Sequence, residues 1–418
     1  MDAKTYHLTK IGIVANIFEW YEFTTFVFLS GLIGQLFFKS TDPIIGLMQS
    51  FLIFALSFIT RPLGGLFFGL IGDRIGRGFA LNLSLVLMSV PTVLIGLLPT
   101  YDRTGIMATA SLLVLRLIQG FSAGGELPTT ACYMFESSDT WNRSLLCSLI
   151  VASPKIGMLL ASFVTSLLFY YFDQTTLLAW AWRIPFLLGV PLTLFIIYIR
   201  RAIYDPTLLV ESHSTIATIH AYKWIDLIRP MTQAIRLVSF GAVYFYVILV
   251  WMPFYLNYFS KIQENIARFN NTLALCIMLL FYPIVGYLSQ RWGYKRLILA
   301  STLVILLLIL PLFKGIQSYS SWKILLLLQT ILSLIYVGID GVLIETLGEL
   351  FPQVNRSLGF GLAWTLSATF AGGTVPLVCT YVIHKTGWLM FPAFYIMFFG
   401  LLALPVALRL KSPSNSQS

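Results

Sequence analysis

Charge is scarce in this chain. Only 11% of its 418 residues are Asp, Glu, Lys or Arg, where soluble domains carry about 25%. Hydrophobic residues make up 58% and the mean hydropathy is +0.84, so a soluble fold would lack the polar residues to cover its surface. A cytosolic enzyme, a disordered chain and a nucleic-acid binder are thereby excluded. Metal chemistry is also thin. The four cysteines (Cys132, Cys147, Cys276, Cys379) sit in or beside apolar runs without ligand spacing. His7, His213, His220 and His384 have no neighbouring donors at ligand spacing, so neither metal nor cofactor is expected. There is no Gly-x-x-x-x-Gly-Lys nucleotide loop and no His, Ser or Cys cluster at one membrane face, which argues against a membrane-embedded enzyme. The longest polar segment, 205–231, is too short for a receptor ectodomain.

What the sequence has instead is length of hydrophobic run. A transmembrane helix needs about 20 mostly apolar residues, and twelve runs satisfy this: 11–38, 43–71, 79–100, 105–136, 143–172, 182–204, 232–260, 264–290, 294–314, 322–350, 356–385 and 387–409. They are continuous rather than alternating, which excludes a β-barrel. The reading is an all-α polytopic membrane protein with 12 transmembrane helices in two six-helix halves. Residues 1–204 form the first bundle, 205–231 a cytoplasmic linker, and 232–418 the second bundle with a short cytoplasmic tail. With the N-terminus inside, sixteen Lys and Arg fall in inner loops and seven in outer loops, which sets both termini in the cytoplasm. The same bias accounts for most of the net charge of +10 without any polyanionic partner.

A loop recurs between the halves. Gly69-Leu-Ile-Gly-Asp73-Arg74-Ile-Gly76-Arg77 follows the second run, and Gly286-Tyr-Leu-Ser-Gln290-Arg291-Trp-Gly293 follows the eighth. Repeats in corresponding halves mark transporter folds. The glycines permit a tight turn, Asp73 can act on a neighbouring helix N-terminus, and the arginines hold the inner face.

Gly69 to Arg77 resembles the signature loop of the major facilitator superfamily. Other segments resemble its metabolite:proton symporter family: Glu19-Trp20-Tyr21-Glu22-Phe23 on the first helix, Arg61-Pro62-Leu-Gly64-Gly65 on the second, and Arg116-Leu-Ile-Gln119-Gly120 through Gly124-Gly125-Glu126 on the fourth. Trp182-Arg183-Ile-Pro185-Phe186 resembles the start of the sixth helix, and Glu349-Leu-Phe351-Pro352 with Arg356 and Ala371-Gly372-Gly373 the tenth and eleventh. The stretch from Phe351 to Tyr395 is most like the proline/betaine transporter branch. Departures are Gln290 where Asp is usual, Glu22 for Asp, and Lys155, which the family pattern does not lead one to expect. The resemblance implies a secondary active transporter that couples protons to a small polar metabolite by alternating access. A proline- or betaine-like zwitterion is favoured; a di- or tricarboxylate such as 2-oxoglutarate or citrate, and an uncoupled facilitator or exchanger, stand as alternatives. The expected setting is a bacterial inner membrane, with a monomer as the unit and the metabolite, protons and lipid as partners.

An ionisable residue deep in a membrane helix points to function. At about 1.5 Å per residue, Glu19, Glu22, Arg61, Arg116 and Lys155 lie roughly 12–18 Å from a membrane face. Glu19 and Glu22 share a helix face at i and i+3, and either is a candidate proton carrier. Arg116 and Lys155 are candidates for a substrate carboxylate, with Arg61, Gln119, Trp20, Tyr21 and Trp364 around them. A structural buried ion pair is the competing reading for these charges. Glu126, Glu349 and Arg356, near the cytoplasmic ends, read as inner-gate salt bridges or snorkelling charges.

Overall fold

The structure, a computed structural model, describes residues 3–75, 77–124, 126–137, 143–194, 224–352 and 356–410, with side chains left undescribed at 3–12 and next to several of these boundaries. With no water in a bilayer core, backbone groups must bond within their own segment, and the apolar runs fold as helices. In the first half α1 runs as Ala3–Phe28 and Ser30–Phe37, α2 as Pro43–Ile59 and Arg61–Arg74, α3 as Arg77–Leu97, α4 as Ile106–Ser122 and Glu126–Ser137, and α5 as Arg143–Tyr171. α6 opens with Ala181–Arg183 and Ile184–Leu187 and is helical again over 189–194. In the second half α7 comprises Trp224–Phe245, Tyr246–Trp251, Met252–Phe254 and Tyr255–Phe259; α8 is Glu264–Trp292 and α9 Tyr294–Ser318. α10 is Trp322–Asp340 and Leu343–Leu350, α11 is Arg356–Ser367, Ala368–Gly372 and Val375–Thr386, and α12 is Phe391–Arg409. Among the described residues eight helical stretches are long and apolar enough to cross a membrane, and three shorter apolar helices accompany them. The charged α1 completes the set of twelve.

α7 begins at Trp224, ahead of the apolar run at 232, because Leu227 and Ala234, two turns apart and both buried, continue its packed face. Residues 205–223 of the expected linker lie outside the described residues. The repeated loop explains its glycine where it is described: Gly293, between α8 and α9, has φ +81° and donates its N–H to Ser289 O at 2.8 Å. Its counterpart Gly76 lies outside the described residues, as do the side chains of Asp73, Arg74, Arg77 and Glu126; Gly69 falls in the second segment of α2.

The breaks within helices position the interior. Pro62 cannot donate to the Phe58 carbonyl, and the Thr369 hydroxyl of α11 donates to that oxygen at 3.0 Å, tying the halves together there. Thr60, at the break, donates to Leu117 O of α4 at 2.9 Å. α2 and α4 touch backbone to backbone: a Cβ on Gly120 would lie 1.7 Å from Ser57 O, and one on Gly64 1.7 Å from Phe121 O. Single π-helical turns often mark functional sites, and α7 carries two, Tyr246–Trp251 and Tyr255–Phe259, flanking Pro253. The outward-facing surface is apolar, with Leu63, Ile106, Leu307 and Phe370 all exposed, as lipid contact requires.

Candidate functional site

Two buried arginines meet on one ring. Arg61 and Arg116 are 7% and 0% exposed. Their guanidinium carbons lie 4.5 and 4.7 Å from the Phe23 ring centroid. Arg61 also stacks on Phe58 at 4.0 Å and Arg116 on Phe26 at 4.2 Å. Tyr246, from the first π turn of α7, packs its ring 5.9 Å from Phe58 and 6.1 Å from Phe54. The close approach of α2 and α4 is what brings the two guanidinium groups to the same ring.

Arg116 donates to Gln119 Oε1 at 2.9 Å, yet its Nε and Nη2 have no hydrogen-bond partner, and the same holds for Nε of Arg61. Among the described residues no carboxylate pairs with Arg116. Gln119 Nε2 donates to Thr92 Oγ1 at 2.6 Å, and Thr92 Oγ1 lies 3.2 Å from Glu22 Oε2 and 2.9 Å from Met88 O. Thr193 Oγ1 is 3.4 Å from Glu22 Oε1. The chain Arg116–Gln119–Thr92–Glu22 therefore links a buried cation to a buried carboxyl through two neutral side chains. Glu22 is 3% exposed and forms no ion pair among the described residues. Glu19, half-buried one turn away, lines a small cavity with Glu22, Ser84 and Ser122.

Lys155 is not an open cation. Its Nζ lies 2.7 Å from Asp340 Oδ2, with both side chains buried, so in this arrangement a carboxylate of the other half, and not a substrate, neutralises it. Tyr21 is also committed elsewhere, its hydroxyl donating to Pro185 O of α6 at 2.8 Å. Trp20 faces inward between Phe23 and Phe245, at 6.2 and 5.7 Å, whereas Trp364 stacks on Phe360 of its own helix at 5.9 Å. Phe23, Phe26, Phe54, Phe58, Thr92 and Thr193 are the site residues that sequence reasoning missed. Only Phe23 carried a signal, as part of the segment Glu19 to Phe23.

Both faces are bridged. Where α4 ends and α5 begins, Arg356 lies 3.0 Å from Glu136, Arg143 lies 3.5 Å from Glu349, and Ser144 donates to Glu345 at 2.7 Å, each across the halves. Arg291, at the end of α8, is exposed and lies over Tyr287 at 4.7 Å. At the opposite face Arg268 of α8 donates to Phe28 O of α1 at 2.7 Å, and Phe51 packs on Phe254 at 5.2 Å. Among the described residues the halves thus touch at both faces, and Arg116 is fully buried.

Residues 10–206 match the family model described as sugar (and other) transporter, and residues 260–418 match that of the major facilitator superfamily. The chain is similar to the glycine betaine/proline/ectoine/pipecolic acid transporter OusA of Dickeya dadantii, 31% identical over 96% of this chain and 82% of that one. It is 30% identical to the proline/betaine transporter of Escherichia coli K12, over 99% of this chain and 85% of that one. Among solved structures, the proton:xylose symporter XylE bound to 6-bromo-6-deoxy-D-glucose superposes with a TM-score of 0.75 at 17% identity, covering 97% of this chain and 95% of that one. A partially occluded inward-open form of XylE from E. coli gives 0.74 at 16% identity, covering 100% of each chain.

Proposed function

The chain belongs to the major facilitator superfamily; it is a multi-pass membrane transporter and not an enzyme, and from that premise we propose that it moves a proline- or betaine-like zwitterion together with a proton. The observation that carries the reading is Arg116, fully buried with two guanidinium nitrogens unpartnered. A buried cation with orphaned donors is costly, and a substrate carboxylate supplies both the charge and the acceptors. The rings of Phe23, Phe26 and Phe58 hold the two guanidinium planes in place from the back.

Glu22 is the proton site of this mechanism. A bare carboxylate enclosed by helices costs several kcal/mol, and a bound proton removes that cost. The relay gives the proton a way to be felt at Arg116. With Glu22 protonated, Thr92 accepts from both Glu22 and Gln119 and donates to Met88 O, so every group is satisfied. With Glu22 ionised, the single Thr92 proton has two acceptors to serve, Glu22 and Met88 O, and the Gln119 amide that orients Arg116 feels the change. Protonation and substrate binding thus favour the same arrangement. Opening then alternates between the Arg356–Glu136 and Arg143–Glu349 closure and the Arg268 closure.

In the same proposal the protein is a monomer in a bacterial cytoplasmic membrane with both termini inside and two six-helix bundles joined near 205–231; two family matches separated by 207–259 support that division. A second reading, a dicarboxylate substrate, draws on one observation: two guanidinium groups share the Phe23 ring. Uptake into proteoliposomes with an imposed proton gradient separates the two. Labelled glycine betaine or proline should accumulate, with unlabelled 2-oxoglutarate a poor competitor and a protonophore abolishing accumulation. Competition by 2-oxoglutarate alone would favour the second reading, and accumulation that survives the protonophore would refute proton coupling.

A further inference from the structure

The Lys155–Asp340 pair sits in an aromatic box. Tyr282 donates its hydroxyl to Asp340 Oδ2 at 2.6 Å, the oxygen that Lys155 holds at 2.7 Å. The rings of Phe245, Tyr282 and Tyr336 stand 5.4, 5.9 and 6.0 Å from Lys155 Nζ. Three aromatic faces and one carboxylate around an alkylammonium group are the chemistry that recognises a substituted ammonium ion. All four walls belong to the second half (α7, α8 and α10), and the ammonium group alone comes from the first, on α5. A series of ring contacts connects the box to the arginine cluster: Phe245 packs on Trp20 at 5.7 Å, Trp20 on Phe23 at 6.2 Å, and Arg116 lies over Phe23 at 4.7 Å.

We propose that the box formed by Asp340, Phe245, Tyr282 and Tyr336 is the subsite for the ammonium pole of the substrate, and that Lys155 is a tethered stand-in filling it when substrate is absent. The inference rests on the zwitterion reading above. It follows from charge balance. When the halves part at this depth Lys155 leaves with α5, and Asp340 would stay behind as an unpaired charge within the membrane, which costs several kcal/mol. A substrate ammonium entering the box replaces the lysine and removes that cost. The loaded carrier and the empty carrier both keep the box neutral, while the partly open state with a vacant box does not. Arg116 and Asp340 lie in different halves, linked through the rings of Phe23, Trp20 and Phe245.

The test compares glycine betaine with 3,3-dimethylbutyrate, which has the same shape and carboxylate with carbon in place of nitrogen. Binding is read on the purified full-length protein in nanodiscs. The wild type should prefer betaine by about tenfold or more, the scale of a desolvated cation–π contact. Lys155→Gln/Asp340→Asn removes both charges together and leaves no unpaired ion; it should lose the preference for betaine and bind 3,3-dimethylbutyrate more tightly than the wild type does, because no carboxylate is then left unpaired in the box. Phe245→Leu should reduce the preference without touching a charge. Lys155→Gln alone should gain a Tm rise with tetramethylammonium that the double variant lacks. A double variant that keeps the wild-type preference would overturn the proposal, as would a Lys155→Gln protein indifferent to tetramethylammonium. Arg116→Gln serves the other arm: if it binds both carboxylates as the wild type does, the carboxylate reading at Arg116 has failed while the box stands on the tetramethylammonium result.

Discussion

Thr92→Val removes one hydroxyl from the middle of the relay and leaves the shape of the side chain nearly intact. Gln119 Nε2 loses its 2.6 Å acceptor and Glu22 Oε2 its 3.2 Å contact, while Arg116 keeps its bond to Gln119 Oε1. A buried polar group left without its partner costs about 1–3 kcal/mol. If the relay carries the coupling between proton and substrate, that is also the most it can transmit, corresponding to a change in substrate affinity of about 5- to 150-fold between protonated and deprotonated carrier. Coupling is reciprocal, so it is readable from substrate binding alone. The wild type should bind its zwitterion more tightly at about pH 5.5 than at about pH 8, by a factor in that range. Thr92→Val should flatten the ratio towards one while affinity at low pH stays within about threefold, and Thr92→Ser, which restores the hydroxyl, should recover it. Equilibrium binding in nanodiscs at the two pH values is the assay. A Thr92→Val protein with the wild-type pH ratio would refute the relay, whatever its rate of transport.

Two further predictions concern the frame. Gly120→Ala places a methyl group 1.7 Å from Ser57 O, so α2 and α4 must separate; the cost should exceed the roughly 1–3 kcal/mol of ordinary overpacking. It should appear as a clearly lowered Tm together with weakened substrate binding, and an unchanged Tm would contradict the packing described. Arg143→Ala with Arg356→Ala removes two half-exposed bridges between the halves, each worth about 0.2–1 kcal/mol. Maleimide labelling of Cys147, buried one turn from Arg143, should speed up by about 2- to 30-fold as that face opens more often, and an unchanged rate would mean these pairs do not hold it shut.

How much of this could be read from the sequence depends on range along the chain. Helix number followed from apolar runs because a bilayer leaves helices little alternative. Glu22, Arg61 and Arg116 stood out because so few charges lie deep, whereas Gly64 and Gly120 appeared only within family-like segments and their close backbone contacts needed the fold to show them. The pairing of Lys155 with Asp340 was not legible: Asp340 lies in the other half, and nothing local to either residue announces it. Thr92, Thr193 and the rings of Phe26, Phe54 and Phe58 carried no signal, since hydroxyls and aromatics are common in membrane helices and only the crossing of α1, α2, α3, α4 and α6 selects these. The break at Thr60–Pro62 was visible as a proline, but its use, a carbonyl offered to Thr369 across the halves, depends on α11.

Proton-driven accumulation in the proposed mechanism depends on Glu22. Glu22→Gln, which keeps the size and most of the hydrogen bonds of the side chain, should be assayed in proteoliposomes with an imposed proton gradient. The variant should still equilibrate and exchange labelled zwitterion but no longer concentrate it and no longer move protons with it. Accumulation by Glu22→Gln to the wild-type level, still abolished by protonophore, would contradict this and move the proton site elsewhere.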